Sequence, residues 1–120
     1  MKMKTHRTCL ALDLKDDDEL IAQYEYFHQP EHIWPEIPRG IRAGGIVDMQ
    51  IYRIGTRLFM IVETEEGTDL NTAFEAIGKM PRQPEWAAFM HGFQQRLADA
   101  KSDEHWAEMK PVFMLTECLK

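Results

Sequence analysis

The chain has 120 residues, of which 20 are acidic and 14 basic, for a formal charge of −6 and a hydrophobic share of 44%. That length can bury one modest core, so residues 1–120 read as a single domain, and the acidic excess lacks the positive surface that a phosphate backbone requires, which argues against a nucleic-acid partner. No apolar run is long enough to span a bilayer or to serve as the core of a signal peptide, so the sequence predicts a soluble, cytoplasmic protein without a membrane partner.

The opening Met1-Lys2-Met3-Lys4 is basic but no apolar run comes after it. Residues 7 to 14 alternate, with Leu10, Leu12 and Leu14 on one face and Cys9, Ala11 and Asp13 on the other, the period of a half-buried strand. Arg7 and Asp13 share a face and approach a pocket if that face lines one. A helix is expected over residues 16 to 28: Asp16-Asp17-Asp18-Glu19 suits the positive end of the helix dipole, and Pro30 stops the helix from continuing. Within it Leu20, Ile21, Tyr24, Phe27 and His28 fall on one face, so Tyr24 and His28, four residues apart, project toward the same space.

Pro35 suits the first turn of a second helix ending near Ala43 at Gly44-Gly45. Ile46 to Ile54 and Arg57 to Thr64 are strand-like and joined by Gly55-Thr56, a link that favours a tight hairpin. Thr68 or Asp69 can cap a short helix to Gly78, and Pro84 opens a longer one whose Trp86, Phe89, Met90, Phe93 and Leu97 form an apolar stripe. Residues 101 to 104 are a charged loop, and Pro111 to Leu119 alternate as a final strand. The order is ferredoxin-like α+β: a four-stranded antiparallel sheet with helices on one face. Apolar residues in both alternating sets of the second strand, Val47, Met49 and Ile51 against Ile46, Tyr52 and Ile54, call for cover on the other face. A homodimer is the simplest cover.

Tyr24-x3-His28, Trp34-Pro35-Glu36, Ile51-Tyr52, Leu58-Phe59, Glu63, Trp86, Met90, Trp106, Met109 and Phe113 together resemble the L-rhamnose mutarotase family over nearly the whole chain. The resemblance implies a dimeric α+β barrel acting on a free monosaccharide without a cofactor, with His28 as the acid/base group, Tyr24 as a sugar contact and Trp86 as an aromatic wall. The sequence departs from the family in three places: Ala87 replaces a second Trp, Met49 replaces a pocket Tyr, and the segment from His28 to Trp34 is about two residues longer. The opening Cys9-Leu10-Ala11-Leu12-Asp13-Leu14 is similar to a longer branch associated with L-fucose, which places L-fucose beside L-rhamnose as a candidate 6-deoxy-L-hexopyranose substrate.

Interconverting sugar anomers requires a proton to leave the anomeric hydroxyl and another to reach the ring oxygen, with both steps reversed after the aldehyde rotates. Histidine titrates near neutrality and suits that work, whereas tyrosine is a poorer base and better placed to orient a hydroxyl or stabilise charge. Against this, His28 and Tyr24 also fit helix-end and core residues, Trp86 and Trp34 fit either a sugar-stacking wall or packing, and Glu36 fits a second proton carrier or a first-turn surface carboxylate. His28, Glu31, His32 and Glu36 have metal-compatible chemistry, but Pro30 spoils the helical spacing and no metal is expected. Cys9 and Cys118 lack metal spacing and read as reduced core or edge thiols. A non-catalytic ligand-binding barrel and a small barrel oxygenase share the expected fold.

Overall fold

The computed structural model describes residues 4–120, so the Met1–Met3 part of the basic opening lies outside the described residues. β1 (Thr5–Leu14) leads into α1 (Asp18–Phe27), α2 (Glu36–Ala43), β2 (Ile46–Ile54), β3 (Arg57–Glu65), α3 (Leu70–Ile77) and α4 (Gln83–His91). Two short strands, β4 (Gln94–Gln95) and β5 (Ala107–Glu108), and a short helix, α5 (Leu115–Cys118), complete it. The strands form an antiparallel sheet in the order β2-β3-β1-β4, with β5 also on β1. This is the ferredoxin-like α+β arrangement that the element order predicts.

Local chemistry explains where the elements start and turn. Asp17 caps α1 by accepting from the backbone N–H groups of Glu19 and Leu20, at 3.0 and 3.1 Å. The β2–β3 hairpin turns at Gly55, whose φ of +58° is the left-handed value that the first central residue of a tight hairpin needs. In β3 the burial alternates strictly, Leu58, Met60, Val62 and Thr64 turning inward. Leu10 and Leu12 of β1 stand opposite Met60 and Leu58 and share that inner face.

All four longer helices pack on this face. One cluster joins Leu10, Ile46, Met60 and Val62 to Ala73 and Ile77 of α3, and a second joins Leu14 and Leu58 to Tyr24 of α1, Met90 of α4 and Phe93. Ile51 and Trp106 touch both, so the two clusters are halves of one layer between sheet and helices.

Three sequence expectations change. Residues 111 to 119 are not the fourth strand: that edge of β1 is held by β4 and β5, while the tail carries only α5. α4 stops at His91 rather than running to Leu97, because after Gly92 the chain turns to lay Gln94 against Leu14. A bulge between Ile46 and Asp48 turns Ile46 onto the inner face with Met49 and Ile51, leaving Asp48, Gln50, Tyr52 and Ile54 on the outer one. Arg7 and Asp13 are also on the outer face, ion-paired to Glu63 and Arg57, away from the helices.

Candidate active site

Between the helices and the inner face of the sheet lies a cavity of about 1130 Å³, which Tyr24, His28, Met49 and Trp86 all line. A smaller space of about 440 Å³ beside β2 shares Tyr24, His28 and Ile51 with it. Tyr24 is buried on α1, and His28 sits half-buried one turn later as the residue that ends the helix.

The helix end determines the chemistry of His28. Its backbone N–H bonds the Glu25 carbonyl rather than that of Tyr24, so the Tyr24 carbonyl would be an orphan of the last turn. The His28 ring fills the gap, with Nδ1 2.6 Å from that oxygen. A carbonyl only accepts, so Nδ1 carries the hydrogen and Nε2 of the neutral ring keeps its lone pair. Burial lowers the His28 pKa from 6.5, and the bond to the Tyr24 carbonyl opposes part of that shift. Near neutral pH the site therefore holds a neutral imidazole with one basic nitrogen.

Aromatic rings fix the pair. Tyr24 and His28 lie 4.2 Å apart between ring centroids, and Trp86 meets His28 edge-on at 5.3 Å. Burial pushes the Tyr24 hydroxyl up to about 12, a rise that the nearby Gln94 side chain moderates, so it stays protonated. Trp34 stands behind this wall, edge-on to Trp86 at 5.1 Å, stacked on Phe89 at 5.7 Å, and covered by the Arg82 guanidinium at 3.9 Å. It is not among the cavity-lining residues and packs against Trp86, which is.

Met49 and Ala87, the positions at which the chain departs from the mutarotase pattern, both line the cavity. Glu36 turns toward Arg82, 3.9 Å away, and is not part of the lining. His32 stacks on Tyr26 at 3.9 Å, apart from His28. Among the described residues no three His, Cys, Asp or Glu side chains come together to hold a metal ion. Residues that sequence reasoning did not place here are Gln94, His91, His105 and Trp106, all at the cavity and three of them on or beside β4 and β5.

The sequence pattern of L-rhamnose mutarotase matches residues 7–115. The chain belongs to the L-rhamnose mutarotase family. It is thus a member of a carbohydrate isomerase family. An L-fucose mutarotase from Xanthomonas campestris pv. campestris is 37% identical over 117 residues, covering 98% of this chain and 94% of the relative. A Dictyostelium discoideum protein named only as UPF0734 is 34% identical over 88% of this chain and 86% of its own length. Among solved structures, an L-rhamnose mutarotase from Formosa agariphila superposes with a TM-score of 0.60 at 18% identity, covering 91% of this chain and 97% of that one. A type-II polyketide cyclase from Streptomyces glaucescens superposes with a TM-score of 0.56 at 14% identity, covering 91% and 95%. These two likenesses concern the fold, the dimeric α+β-barrel class, which evidently hosts more than one chemistry.

Proposed function

We propose that this mutarotase-family protein interconverts the α and β anomers of a 6-deoxy-L-hexopyranose, with His28 as the acid/base group. The observation that carries this reading is the tautomer of His28: its Nδ1 is tied to the Tyr24 carbonyl, leaving Nε2 as the basic nitrogen of a ring that lines the cavity. In the forward step Nε2 accepts the anomeric hydroxyl proton, the bond from the anomeric carbon to the ring oxygen breaks, and the ring oxygen takes up the released electron pair and a proton. The open aldehyde rotates and the steps reverse, so no proton or electron is gained or lost and no cofactor takes part. Tyr24 contacts the sugar through its hydroxyl, Trp86 offers a ring face, Met49 borders the pocket from β2, and Trp34 holds Trp86 in place.

L-fucose is the first substrate to test and L-rhamnose the second. The 37% identical relative is an L-fucose mutarotase, and Met49 and Ala87 give this cavity less aromatic bulk than the family pattern carries. We further propose a single domain over residues 1–120 that works as a homodimer in the cytoplasm. The outer face of the sheet and the tail expose Tyr52, Ile54, Val112, Phe113 and Leu119, which a second copy can cover, and Cys9 and Cys118 are free, exposed thiols suited to a reducing setting.

Saturation-transfer NMR of anomer exchange tests the assignment. Native protein should accelerate exchange of one or both sugars, and His28→Ala should lose about a hundred- to ten-thousandfold of the catalysed rate. Absence of acceleration with both sugars would sink the mutarotase reading for these substrates.

A further inference from the structure

Two glutamines are buried at the cavity, and they use their amides differently. Gln83, at the start of α4, donates its NH2 group to the backbone carbonyls of Glu36 and Ile37, at 3.3 and 3.1 Å, and so joins α4 to α2. Gln94, on β4, engages the other end: its Oε1 lies 2.7 Å from Nε2 of His105. An amide oxygen only accepts, so His105 Nε2 carries a hydrogen and donates it, whether the ring is neutral or charged.

The Gln94 amide is therefore held in one orientation with its NH2 group unpaired. Among the described residues that group has no hydrogen-bond partner, and it is not a fully buried orphan either. Gln94 is only 8% exposed and lines the cavity, so the cavity is where its N–H donors meet solvent. The mounting is firm. β4 pairs Gln94 with the buried Leu14, and beside it the Phe93 carbonyl accepts from the Lys15 N–H at 2.9 Å. Arg96 fastens the loop that carries His105, its Nε donating to the Glu104 carbonyl at 2.7 Å, and β5 then pairs Ala107 with Ala11 of β1.

We propose that Gln94 is a substrate-binding residue whose NH2 group donates to a sugar hydroxyl on C2, C3 or C4, and that His105 is the positioning residue that holds this end toward the cavity. The proposal rests on the mutarotase reading for its substrate. Ring opening occupies the anomeric hydroxyl and the ring oxygen, which leaves these three hydroxyls to be recognised by other groups. Met49, Ile51 and Ala87, on the same lining, offer them no side-chain hydrogen bond. A site built around a buried donor favours a ligand that brings an acceptor to it and rejects one that lacks it.

Saturation-transfer NMR at varied sugar concentration tests this. Gln94→Met removes the donor and keeps the bulk. It should raise KM for the exchanged sugar about tenfold, the loss of one hydrogen bond, with a smaller effect on kcat. One of the 2-, 3- and 4-deoxy analogues of that sugar should show the same weakening with native protein and no further loss with Gln94→Met. His105→Phe should raise KM in the native background and add little in the Gln94→Met background, because it acts through the amide. His105→Gln, which retains an N–H donor, should stay near the native KM.

The outcomes separate the two readings. Native protein that exchanges a sugar, with Gln94→Met at native KM or with all three analogues still weakened by that change, overturns the role of Gln94 and leaves the mutarotase assignment intact. Native protein that exchanges neither sugar overturns the assignment and the sugar contact with it. Nitrogen-15 NMR of the protein alone should find a hydrogen on His105 Nε2. A neutral Nδ1–H ring would refute the positioning role, since Nε2 would then accept and draw the NH2 group of Gln94 away from the cavity.

Discussion

At the scale of single residues, the role proposed for His28 sets how activity should depend on pH. Burial lowers its pKa from 6.5, so the basic form that the proposed mechanism needs persists below the range of an ordinary histidine. The acidic limb of catalysed exchange, after subtraction of the buffer-catalysed rate, should therefore have its midpoint below 6.5. The same shift bears on stability with a definite sign. Between the folded and unfolded pKa values the unfolded chain binds more protons, so stability rises with pH across that window and is lost as pH falls through it. A pH–rate limb at or above 6.5 would mean that His28 is not the group being titrated. The Tyr24 and His28 pair was legible in the sequence because both lie on one helix, where a spacing of four fixes their common direction. Gln94 and His105 were not legible, since they reach the cavity only through the pairing of β4 and β5 with β1, and no local period records that pairing.

At the scale of elements, the cavity depends on how closely α2 and α3 approach. Gly44 ends α2 with an ordinary φ of −78°, so no backbone requirement explains a glycine there. Space does: a Cβ at Gly44 would lie 2.2 Å from Ile77 Cγ1 on α3. Ile77 is itself buried and has little room to yield. Gly44→Ala should destabilise the fold by about 1–3 kcal/mol, the usual cost of overpacking, as read from the chemical denaturation midpoint. In an Ile77→Ala background, which removes the clashing atom, the added alanine should cost much less. Equal costs in both backgrounds would show that the α2–α3 contact is not what requires glycine. The sequence disclosed the helices and the hairpin through caps, periodicity and turn residues, and it failed where only tertiary context decides. The tail alternates as a strand would, yet the edge of β1 is already taken by two short segments. The bulge at the start of β2 changes which side Ile46 faces, and alternation alone cannot register an inserted residue.

At the scale of the whole molecule, the protein is longer and more apolar at one end than an isolated chain should be. Its radius of gyration is 15.2 Å, with extents of 47 × 30 × 29 Å, against about 13.5 Å for a compact chain of this length. The tail explains the excess: Val112 is 95% exposed, Leu119 75% and Phe113 68%, and the outer sheet face adds Ile54 at 72%. Leaving so many large side chains in water forfeits the roughly 1.5–3 kcal/mol that burying each would contribute. A second copy can recover this by covering the outer sheet face and the tail together. The protein should therefore run as a dimer in light scattering at micromolar concentration, and removal of residues 111–120 should shift it toward monomer. Because the tail does not line the cavity, shortened protein that remains folded should retain the His28 and Tyr24 geometry, and its circular dichroism should change little. A native protein that is monomeric at high micromolar concentration would refute the dimer, and a shortened protein that stays dimeric would assign the interface to the outer sheet face around Tyr52 and Ile54 alone.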